Sequence, residues 1–548
     1  MRKDKLNNIP RTHRSVTDTP ARQGLVPVLV ATVFTMAAIT VHARQPRLVV
    51  GIMVDGLQQE QIDRLRAHLT DGGFNRFLRD GVVIENLDYG TSLDAAAATA
   101  VVMTGASPSV NGIAGAWHYD PRAKRYESSV LDRGALGNYT DETYSPRALR
   151  VTTLSDEARI AGSGIANAYA LAADPAQAII MGGHAGNSAA WLNEKTGNWA
   201  SSAFYGDMPT VLETRNRMTP LSTRLENQLW EPSETTANVA ELPAVLTKHP
   251  FKYAFTSSVP DRYARFIGSP LANTEITQIA NEYLTTLGLG QKEGTTDMLN
   301  IAYTLQPYEF SRTPESRYEL TDSYIRLDAD LASLLTTIDQ RVGRANTVVF
   351  LAATPPSARR RRDDKKWNIP VGEFSTRKAA ALLNLYLIAT HGNGDWVKAI
   401  ADNQFYLNDE LAKSRDVDMH TLRQEVAQYL KRMAGVDRAS SIDDVLDAST
   451  GYDDAGARRR NTVVSVAGDV LIDLLPGWEL IDDYNNRTAH SGQVNVNALT
   501  TAPAYILAPD TEHRIIKSVI DARVLAPTVA GQMHIRSPNG AALPPLRF

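Results

Sequence analysis

The side chains that could do chemistry are oxygen and imidazole donors, because the chain has 11 histidines and no cysteine. The absence of cysteine excludes disulfides, thiolate catalysis, thiolate metal sites and a bacterial lipoprotein anchor. The best local spacings of metal-ligand type are Asp416-x-Asp418-x-His420 and Asp510-x-x-His513. Each is more typical of a solvated turn or a helix start than of a metal site. No HExxH, P-loop, GxSxG or GxGxxG motif occurs in a context that supports catalysis.

The composition is that of a folded globular chain with a mild acidic excess. Hydrophobic residues make up 43% and charged residues 22% of the sequence, which excludes a disordered or collagen-like protein. The 57 Lys and Arg residues against 61 Asp and Glu residues give a formal net charge of -4, so no general electrostatic attraction to nucleic acid is expected. At roughly 150 residues per domain, the length allows about three to four domains or one large α/β unit.

The N-terminus is predicted to be a targeting segment and not part of the fold. Residues 1–23 carry six basic and two acidic side chains, and the 18 residues 24–41 form an uncharged apolar run that leads into His42-Ala43. A basic start, an apolar middle and a small-residue exit are typical of an export signal. A run of this length also reaches the lower limit for spanning a bilayer. We therefore predict a signal peptide or an N-terminal anchor over 1–43, and a periplasmic protein that is soluble or tethered to the inner membrane by residues 24–41, its only membrane contact.

The remaining chain alternates strands with helices. Apolar runs and periodicity predict strands over Arg47–Asp55, Val82–Leu87, Asn346–Ala353 and Ala502–Ala508, and helices over Gln58–Leu69, Gly73–Gly81, Ala95–Thr104 and Glu319–Val342. The first of these strands is apolar and β-branched, as expected of a central parallel strand, and it ends in an acid. The alternation predicts an α/β sandwich in which helices flank a mostly parallel central sheet.

Two stretches interrupt this alternation. The first, about 206–294, is polar and loop-rich with short helical pieces. The second, about 365–455, is mostly helical, with helices predicted over Ala379–His391 and Met419–Met433. Both are predicted to be insertions that cap the sheet.

Eight segments, taken in order along the chain, carry a family resemblance. They are LVVGIMVDGL (48–57), GGFNRFLRDG (72–81), MTGASPSVNGIAG (103–115), GGHAGNSAAWLNEKTGNW (182–199), DSYIRLDADLASLL (322–335), WNIPVGEF (367–374), AGDVLIDLLPGWELID (467–482) and LAPTVAGQMHIRSPNG (525–540). Together they resemble the alkaline phosphatase superfamily, in particular the periplasmic phosphate-monoester hydrolases with a Thr nucleophile that are common in Bacteroidetes. The resemblance implies an alkaline-phosphatase-like domain over 44–548. It also implies two Zn²⁺ ions held by Asp and His, and a Thr or Ser oxygen that attacks phosphorus.

The resemblance assigns roles slot by slot, and one metal-ligand slot keeps its side chain. That ligand, an Asp at the end of the first strand, is Asp55 here, a remnant metal ligand whose alternative role is to cap the next helix. Counting back from Thr104-Gly105, the nucleophile slot falls on Ala95, which has no oxygen to attack with. Thr99 lies one helical turn further on, about 6 Å along the axis, which is too far for in-line attack. No catalytic residue is therefore predicted.

The phosphate-binding slots are changed as well. The slot of the family's phosphate-binding Asn holds Ala116, and the slots of its Lys and Arg clamp hold Asp174 and Ala176. A cationic clamp has thus become an acid and a methyl group. Asp94 would add negative charge where an anionic substrate docks in the family. His184 survives, and we interpret it as a structural histidine with satisfied hydrogen bonds.

The remaining zinc-ligand slots hold side chains that the family does not use for zinc. In chain order these slots read Pro307, Ser311, Thr354, Pro355 and Thr501. His490 aligns with a different, structural histidine of the family. With Asp55 as the one remaining ligand, metal affinity is expected to be negligible, so no cofactor is predicted.

The leading hypothesis is an exported alkaline-phosphatase-like pseudoenzyme that binds or scaffolds an unknown envelope protein or small ligand, and no nucleic acid. The alternative is a phosphatase or phosphodiesterase with a relocated active site, which would need zinc. A third hypothesis keeps the pocket as a small-molecule or glycan site in which Trp117, Tyr119, Trp191 and Trp199 stack on the ligand. Core and cap packing is the commoner role of such rings.

Overall fold

A computed structural model describes residues 45–240, 242, 248–311, 316–355, 372–449, 451, 453–475, 477–484, 500–509 and 511–548. The segment predicted to direct export, 1–43, lies outside the described residues, as do His490 and Asp510. Across the ranges just given, none of the helices combines the length and the apolar composition needed to cross a membrane.

The strands and helices of these ranges have the following bounds. The strands are β1 Leu48–Asp55, β2 Val82–Asp88, β3 Trp117–Asp120, β4 Arg125–Ser128, β5 Gly137–Asn138, β6 Ala168–Ala172, β7 Ser188–Leu192, β8 Trp199–Ser202, β9 Leu229–Trp230, β10 Tyr253–Ala254, β11 Asp297–Thr304, β12 Thr347–Thr354, β13 Gly372–Ser375, β14 Val397–Ala401, β15 Gln404–Leu407, β16 Val436–Ser441, β17 Val470–Leu474, β18 Trp478–Ile481, β19 Thr501–Leu507 and β20 Arg514–Asp521. The α-helices are Gln59–Leu65, Phe74–Asp80, Ala95–Thr104, Pro108–Asn111, Leu154–Ala161, Pro175–Gly182, Thr210–Met218, Leu221–Arg224, Glu234–Ala237, Arg262–Ile267, Pro270–Thr286, Arg317–Arg341, Thr376–His391, Asp409–Ser414, Met419–Leu430, Ile442–Asp447, Asp454–Asn461 and Leu525–Met533.

The main sheet has ten strands in the spatial order β20-β2-β19-β12-β1-β11-β6-β7-β8-β5. The strands from β12 to β7 in this order are all parallel, and β2 is parallel to β20. β19 and β8 run opposite to the other strands of the sheet. The predicted α/β class with a mostly parallel central sheet is therefore confirmed, although the strand predicted at Ala502–Ala508 is antiparallel to its neighbours.

β1 is the strand that positions the predicted site. It lies between β12 and β11 and is buried along its length up to the last residue. Its register sets Asp55 level with Thr304 of β11 and Thr354 of β12. Because parallel strands end at the same edge of a sheet, the polar side chains that end these strands meet at its carboxyl edge.

Two helices begin at this edge, and each begins at an aspartate. Asp94 caps Ala95–Thr104 by accepting a hydrogen bond from Ala97 N at 2.8 Å. Asp174 caps Pro175–Gly182 by accepting one from Gln177 N at 2.9 Å. The two helices pack against each other, so their capped ends share one surface.

The second predicted insertion contains more strand than the sequence analysis suggests. The helices Thr376–His391 and Met419–Leu430 correspond to those predicted. They pack on a small sheet of order β14-β15-β17-β16, which has an apolar core of its own. Its strands are four to six residues long and mix polar with apolar side chains, so periodicity gave them no clear signal. The first insertion, predicted with short helical pieces, holds the 17-residue helix Pro270–Thr286.

Candidate functional site

Asp55 is held by neutral hydrogen-bond donors. Thr354 Oγ1 donates to Asp55 Oδ1, and Gln306 Nε2 donates to Asp55 Oδ2 at 3.1 Å. Burial raises the pKa of Asp55, the two hydrogen bonds oppose that rise, and the nearby Asp94 carboxylate adds to it. The helix that follows β1 begins at Gln59; its N-cap residue is Gln58, and no side chain caps it. The alternative role of Asp55 as a helix cap is therefore wrong, because its two oxygens face Thr354 and Gln306 instead.

The nucleophile slot offers no oxygen in a usable position. Ala95 is the first residue of the helix that Asp94 caps. Thr99 is fully buried, and its hydroxyl donates to Ala95 O at 2.6 Å while accepting from Gln177 Nε2 at 3.2 Å. A hydroxyl that is buried and bonded in both directions cannot attack a substrate at the sheet edge.

The two slots of the family's phosphate clamp hold no cation in this chain. One slot holds Asp174. Burial raises the pKa of Asp174 to about 6, and the carboxylates of Asp94 and Asp55 contribute to the rise. Ala176 is buried in the helix that Asp174 begins. In the slot of the family's Asn, Ala116 presents its backbone N–H, which donates to Asp94 Oδ2 at 2.6 Å. Asp174 therefore occupies a slot in which the family has a cation, and Asp94 is the hydrogen-bond partner of the residue in the slot of the family's Asn.

The remaining zinc slots do not gather around Asp55 as ligands. Ser311 Oγ donates to Glu319 Oε1 at 2.7 Å, which directs it elsewhere. Thr354 is fully buried and uses its hydroxyl on Asp55. Pro307 and Pro355 offer no donor, and Thr501 begins β19. Within the part of the chain that the structure describes, no group of three or more His, Cys, Asp or Glu side chains is placed to hold a metal ion. The residues present therefore do not fit the family's zinc pair.

His184 has a structural partner on each side of its ring. The two ring nitrogens of His184 each lie 3.2 Å from an acceptor, Asp156 Oδ2 and Leu149 O. Both nitrogens must carry a proton to donate to both acceptors, and the hydrogen bond to Asp156 raises the pKa of His184 accordingly. This confirms the interpretation of His184 as a structural histidine. Asp418 caps Met419–Leu430, which confirms the predicted helix start near residue 416.

Three of the four aromatic residues proposed to stack on a ligand are packed inside the protein. Trp191 and Trp199 are 1% exposed, and their Nε1 atoms donate to Glu142 at 2.9 Å and to Glu275 at 3.1 Å. Tyr119 is buried against Tyr126 and Tyr406. Trp117 is 44% exposed and follows Ala116, the residue that donates to Asp94. Core packing therefore explains these rings except that of Trp117.

Sequence reasoning missed Glu142 and Tyr144, which belong to no motif. Glu142 Oε2 accepts hydrogen bonds from Trp191 Nε1 at 2.9 Å and from Asn193 Nδ2 at 3.2 Å. The Tyr144 ring packs against Trp191 with centroids 5.8 Å apart. Burial raises the pKa of Tyr144, and so do the carboxylates of Glu142, Asp174 and Glu194. These contacts bring a segment remote from both helices to the ends of β6 and β7.

Solved and curated proteins resemble the chain over nearly its full length. Alkaline phosphatase PhoV of Synechococcus elongatus is 26% identical over 518 residues, covering 91% of this chain and 92% of PhoV. Alkaline phosphatase PafA of Elizabethkingia meningoseptica is 25% identical over 546 residues, covering 96% of this chain and 98% of PafA. The crystal structure of PafA superposes with a TM-score of 0.80 at 22% identity, covering 92% of this chain and 98% of that structure. The fold is therefore that of an alkaline phosphatase.

The family assignment follows from the sequence profile that the chain matches. The profile of the Type I phosphodiesterase / nucleotide pyrophosphatase family matches residues 49–495. The chain belongs to this family, within the alkaline phosphatase superfamily. The resemblance inferred from the eight sequence segments is confirmed.

Proposed function

We propose that the protein is an exported member of this family that does not hydrolyse phosphate esters and acts as a binding or scaffold protein at the cell envelope. The observation that carries the proposal is the hydrogen bonding of Asp55. In the family this carboxylate faces a metal ion; here it faces the hydroxyl of Thr354 and the amide of Gln306.

These two hydrogen bonds stabilise the buried Asp55 carboxylate in place of a bound cation. A buried carboxylate needs either a positive charge or hydrogen-bond donors to offset its desolvation. Thr354 supplies a donor from the position where the family has a metal ligand, and its oxygen also accepts from Gly56 N at 3.2 Å. Both functions of the hydroxyl are therefore used within the protein, and a metal ion at this point would have to displace them.

The loss of the nucleophile supports the same function independently. The side chain of Ala95 has no oxygen, and the nearest hydroxyl on the same helix, that of Thr99, is hydrogen-bonded to the Ala95 backbone carbonyl and to Gln177. The change of the phosphate clamp to Asp174 and Ala176 adds repulsion toward an anionic substrate. Restoring activity would require changes at several separate positions, since nucleophile, metal ligands and clamp act together.

The names of the relatives favour the alternative, a zinc-dependent hydrolase whose site has moved. PhoV and PafA are both called alkaline phosphatases, and they cover almost the whole chain. For such a hydrolase the described residues offer no group of three metal ligands. We therefore keep the non-hydrolytic function, with an envelope protein or a small ligand as the partner and the apolar run 24–41 as the export or anchoring element.

Zinc content and turnover together test this proposal. The full chain would be purified beside PafA, with zinc in the growth medium, then dialysed and analysed for bound metal. We expect below about 0.1 zinc per chain, against about two for a complete family site. We also expect no turnover of p-nitrophenyl phosphate or bis-p-nitrophenyl phosphate above the buffer rate, while PafA turns over the monoester. About two zinc ions per chain, or turnover that a chelator abolishes, would overturn the proposal.

A further inference from the structure

The ends of β6 and β7 carry a group of carboxylates that the proposed function does not use. β6 and β7 are parallel neighbours, with Ala172 paired to Trp191. Asp174 follows the end of β6 and Glu194 follows the end of β7, so both emerge at the carboxyl edge of the sheet. Glu142 joins them through its hydrogen bond from Trp191 Nε1. We call Glu142, Asp174 and Glu194 the acidic cluster.

The acidic cluster has neutral hydrogen-bond partners and no cationic ones. Glu142 accepts from Trp191 and Asn193, and Asp174 accepts from Gln177 N. In the described residues, no Lys, Arg or His nitrogen lies within 4.0 Å of a cluster carboxylate, nor of Asp94, which is close enough to raise the pKa of Asp174. Lys195 is exposed at the turn after β7 and forms no ion pair there. The described residues therefore supply no cation that neutralises the negative charge of the acidic cluster.

Tyr144 is a second and independent sign of a binding site. The side chain is 7% exposed, and its ring is fixed against Trp191. Its hydroxyl makes no hydrogen bond with the described residues. The hydroxyl oxygen keeps some exposure to solvent. The Tyr144 ring and the Glu142 carboxylate both contact Trp191, and the charges of Glu142, Asp174 and Glu194 raise the pKa of the Tyr144 hydroxyl. A tyrosine buried to this degree normally uses its hydroxyl, so this one is free to meet a ligand.

The chemistry of the cluster selects the class of ligand. A phosphate or another anion would be repelled by the carboxylates. A metal ion needs several ligands converging on one point, and the described residues offer no such group. An organic ammonium ion suits the site, because its N–H groups can donate both to carboxylates and to the Tyr144 oxygen.

We infer that the acidic cluster and Tyr144 bind an organic ammonium ion, with several ammonium groups favoured because the carboxylates lie on separate elements. The inference rests on the proposed non-hydrolytic function and names the ligand class of that same edge of the sheet. The carboxyl edge that binds an anionic ester in the family would here bind a cation.

Calorimetric titration of the full chain with spermidine at low ionic strength and about pH 7.5 tests the inference. We expect saturable binding that weakens about fivefold to tenfold in Asp174→Asn, because one charge contact is lost while asparagine still caps the helix. We expect Tyr144→Phe to weaken it about threefold to fivefold through loss of the hydroxyl. The matched control is Asp437→Asn, which removes an exposed carboxylate on β16 and should leave the affinity within about twofold.

Several outcomes would overturn the inference. These are no spermidine binding at millimolar concentration, an affinity that neither Asp174→Asn nor Tyr144→Phe reduces, tighter binding of inorganic phosphate than of spermidine, and displacement of spermidine by equimolar Mg²⁺. The hydrolysis assays test the non-hydrolytic function independently of spermidine binding. Turnover with spermidine binding intact would overturn the non-hydrolytic function alone, and absence of both would overturn the ammonium site alone.

Discussion

Two parts of the same sheet edge satisfy their carboxylates in different ways. At the end of β1, Asp55 receives hydrogen bonds on both oxygens, from Thr354 and from Gln306. At the ends of β6 and β7, the acidic cluster carries several negative charges without a cationic partner in the described residues, next to the unpartnered hydroxyl of Tyr144. The first part is complete as it stands, and the second needs a ligand to balance it.

This difference predicts that the end of β1 contributes to folding stability and that the acidic cluster contributes to ligand binding. A hydrogen-bonded unit such as Asp55 with Thr354 stabilises the fold, because each buried polar atom has a partner. A carboxylate such as Asp174, whose pKa is raised by burial and by the nearby charges of Asp94 and Asp55, opposes folding at neutral pH, because it ionises where its charge is disfavoured. Substitutions at the end of β1 should therefore lower stability, and substitutions in the acidic cluster should preserve or raise stability while weakening ligand binding.

The largest expected effect is the loss of the Thr354 hydroxyl. Thr354→Val keeps the shape of the side chain but removes the donor to Asp55 and the acceptor of Gly56 N. Because it leaves a buried carboxylate short of a partner, we expect the free energy of unfolding to fall by about 2–3 kcal/mol. Urea unfolding at about pH 7.5, followed by circular dichroism, measures it.

Thr336→Val is the matched control for this substitution. Thr336 is exposed on the helix Arg317–Arg341 and bonds to a carbonyl of the preceding turn. The control should change stability by less than about 0.5 kcal/mol. If Thr354→Val matched the control, Asp55 would not depend on the hydroxyl, and this hydrogen bond would not be what takes the place of a metal ion.

The Asp55 contact also marks the limit of what the sequence could predict. The apolar run before Asp55 correctly predicted that this residue ends a central strand, because a run of consecutive apolar and β-branched residues is a local signal of a buried strand. The local capping rule then gave the wrong partner. The residue that binds its carboxylate, Thr354, is 299 positions away and becomes a neighbour through the pairing of β1 with β12.

The acidic cluster and its neighbours Asp94 and Tyr144 were predictable only in part, for the same reason. Asp94 and Asp174 precede helices, so their positions follow from motif spacing and from local capping preferences. Glu142 and Tyr144 lie in a segment of irregular structure without a motif, and they reach the site through Trp191, 49 positions from Glu142. Long-range contacts of this kind leave no periodicity in the sequence.

Asp174→Asn should increase stability at neutral pH. The folded-state pKa of about 6 exceeds the ordinary value of 3.8, so between about pH 4 and 6 the folded protein binds more protons than the unfolded chain. The free energy of unfolding therefore falls as pH rises through that window, and the penalty is complete above it. Asparagine caps the helix without the charge, so we expect a gain of about 1–2 kcal/mol at pH 8, reduced from the full value because the carboxylate is partly solvated.

Measuring the variant and the original protein at two pH values isolates this group from its neighbours. The other charged groups are present in both proteins, so their contributions to stability largely cancel in the difference. The gain should vanish near pH 4, where Asp174 is protonated in the folded state. A gain that is the same at both pH values would show that the charge of Asp174 is not what opposes folding.

The smallest expected effect on stability is that of Tyr144→Phe, and it separates the two parts of the edge most sharply. The hydroxyl of Tyr144 has no partner among the described residues, whereas that of Thr354 has two. Removing it leaves the packing of the ring on Trp191 intact, so the free energy of unfolding should change by less than about 0.5 kcal/mol. Unfolding in urea without ligand and again with saturating spermidine measures both halves of the expectation. Without ligand the variant and the original protein should coincide; with ligand the original should gain more, because tighter binding to the folded state adds more stability. A loss above about 1 kcal/mol without ligand would mean that the hydroxyl has a structural partner, and Tyr144 would then belong with Thr354 and not with a binding site.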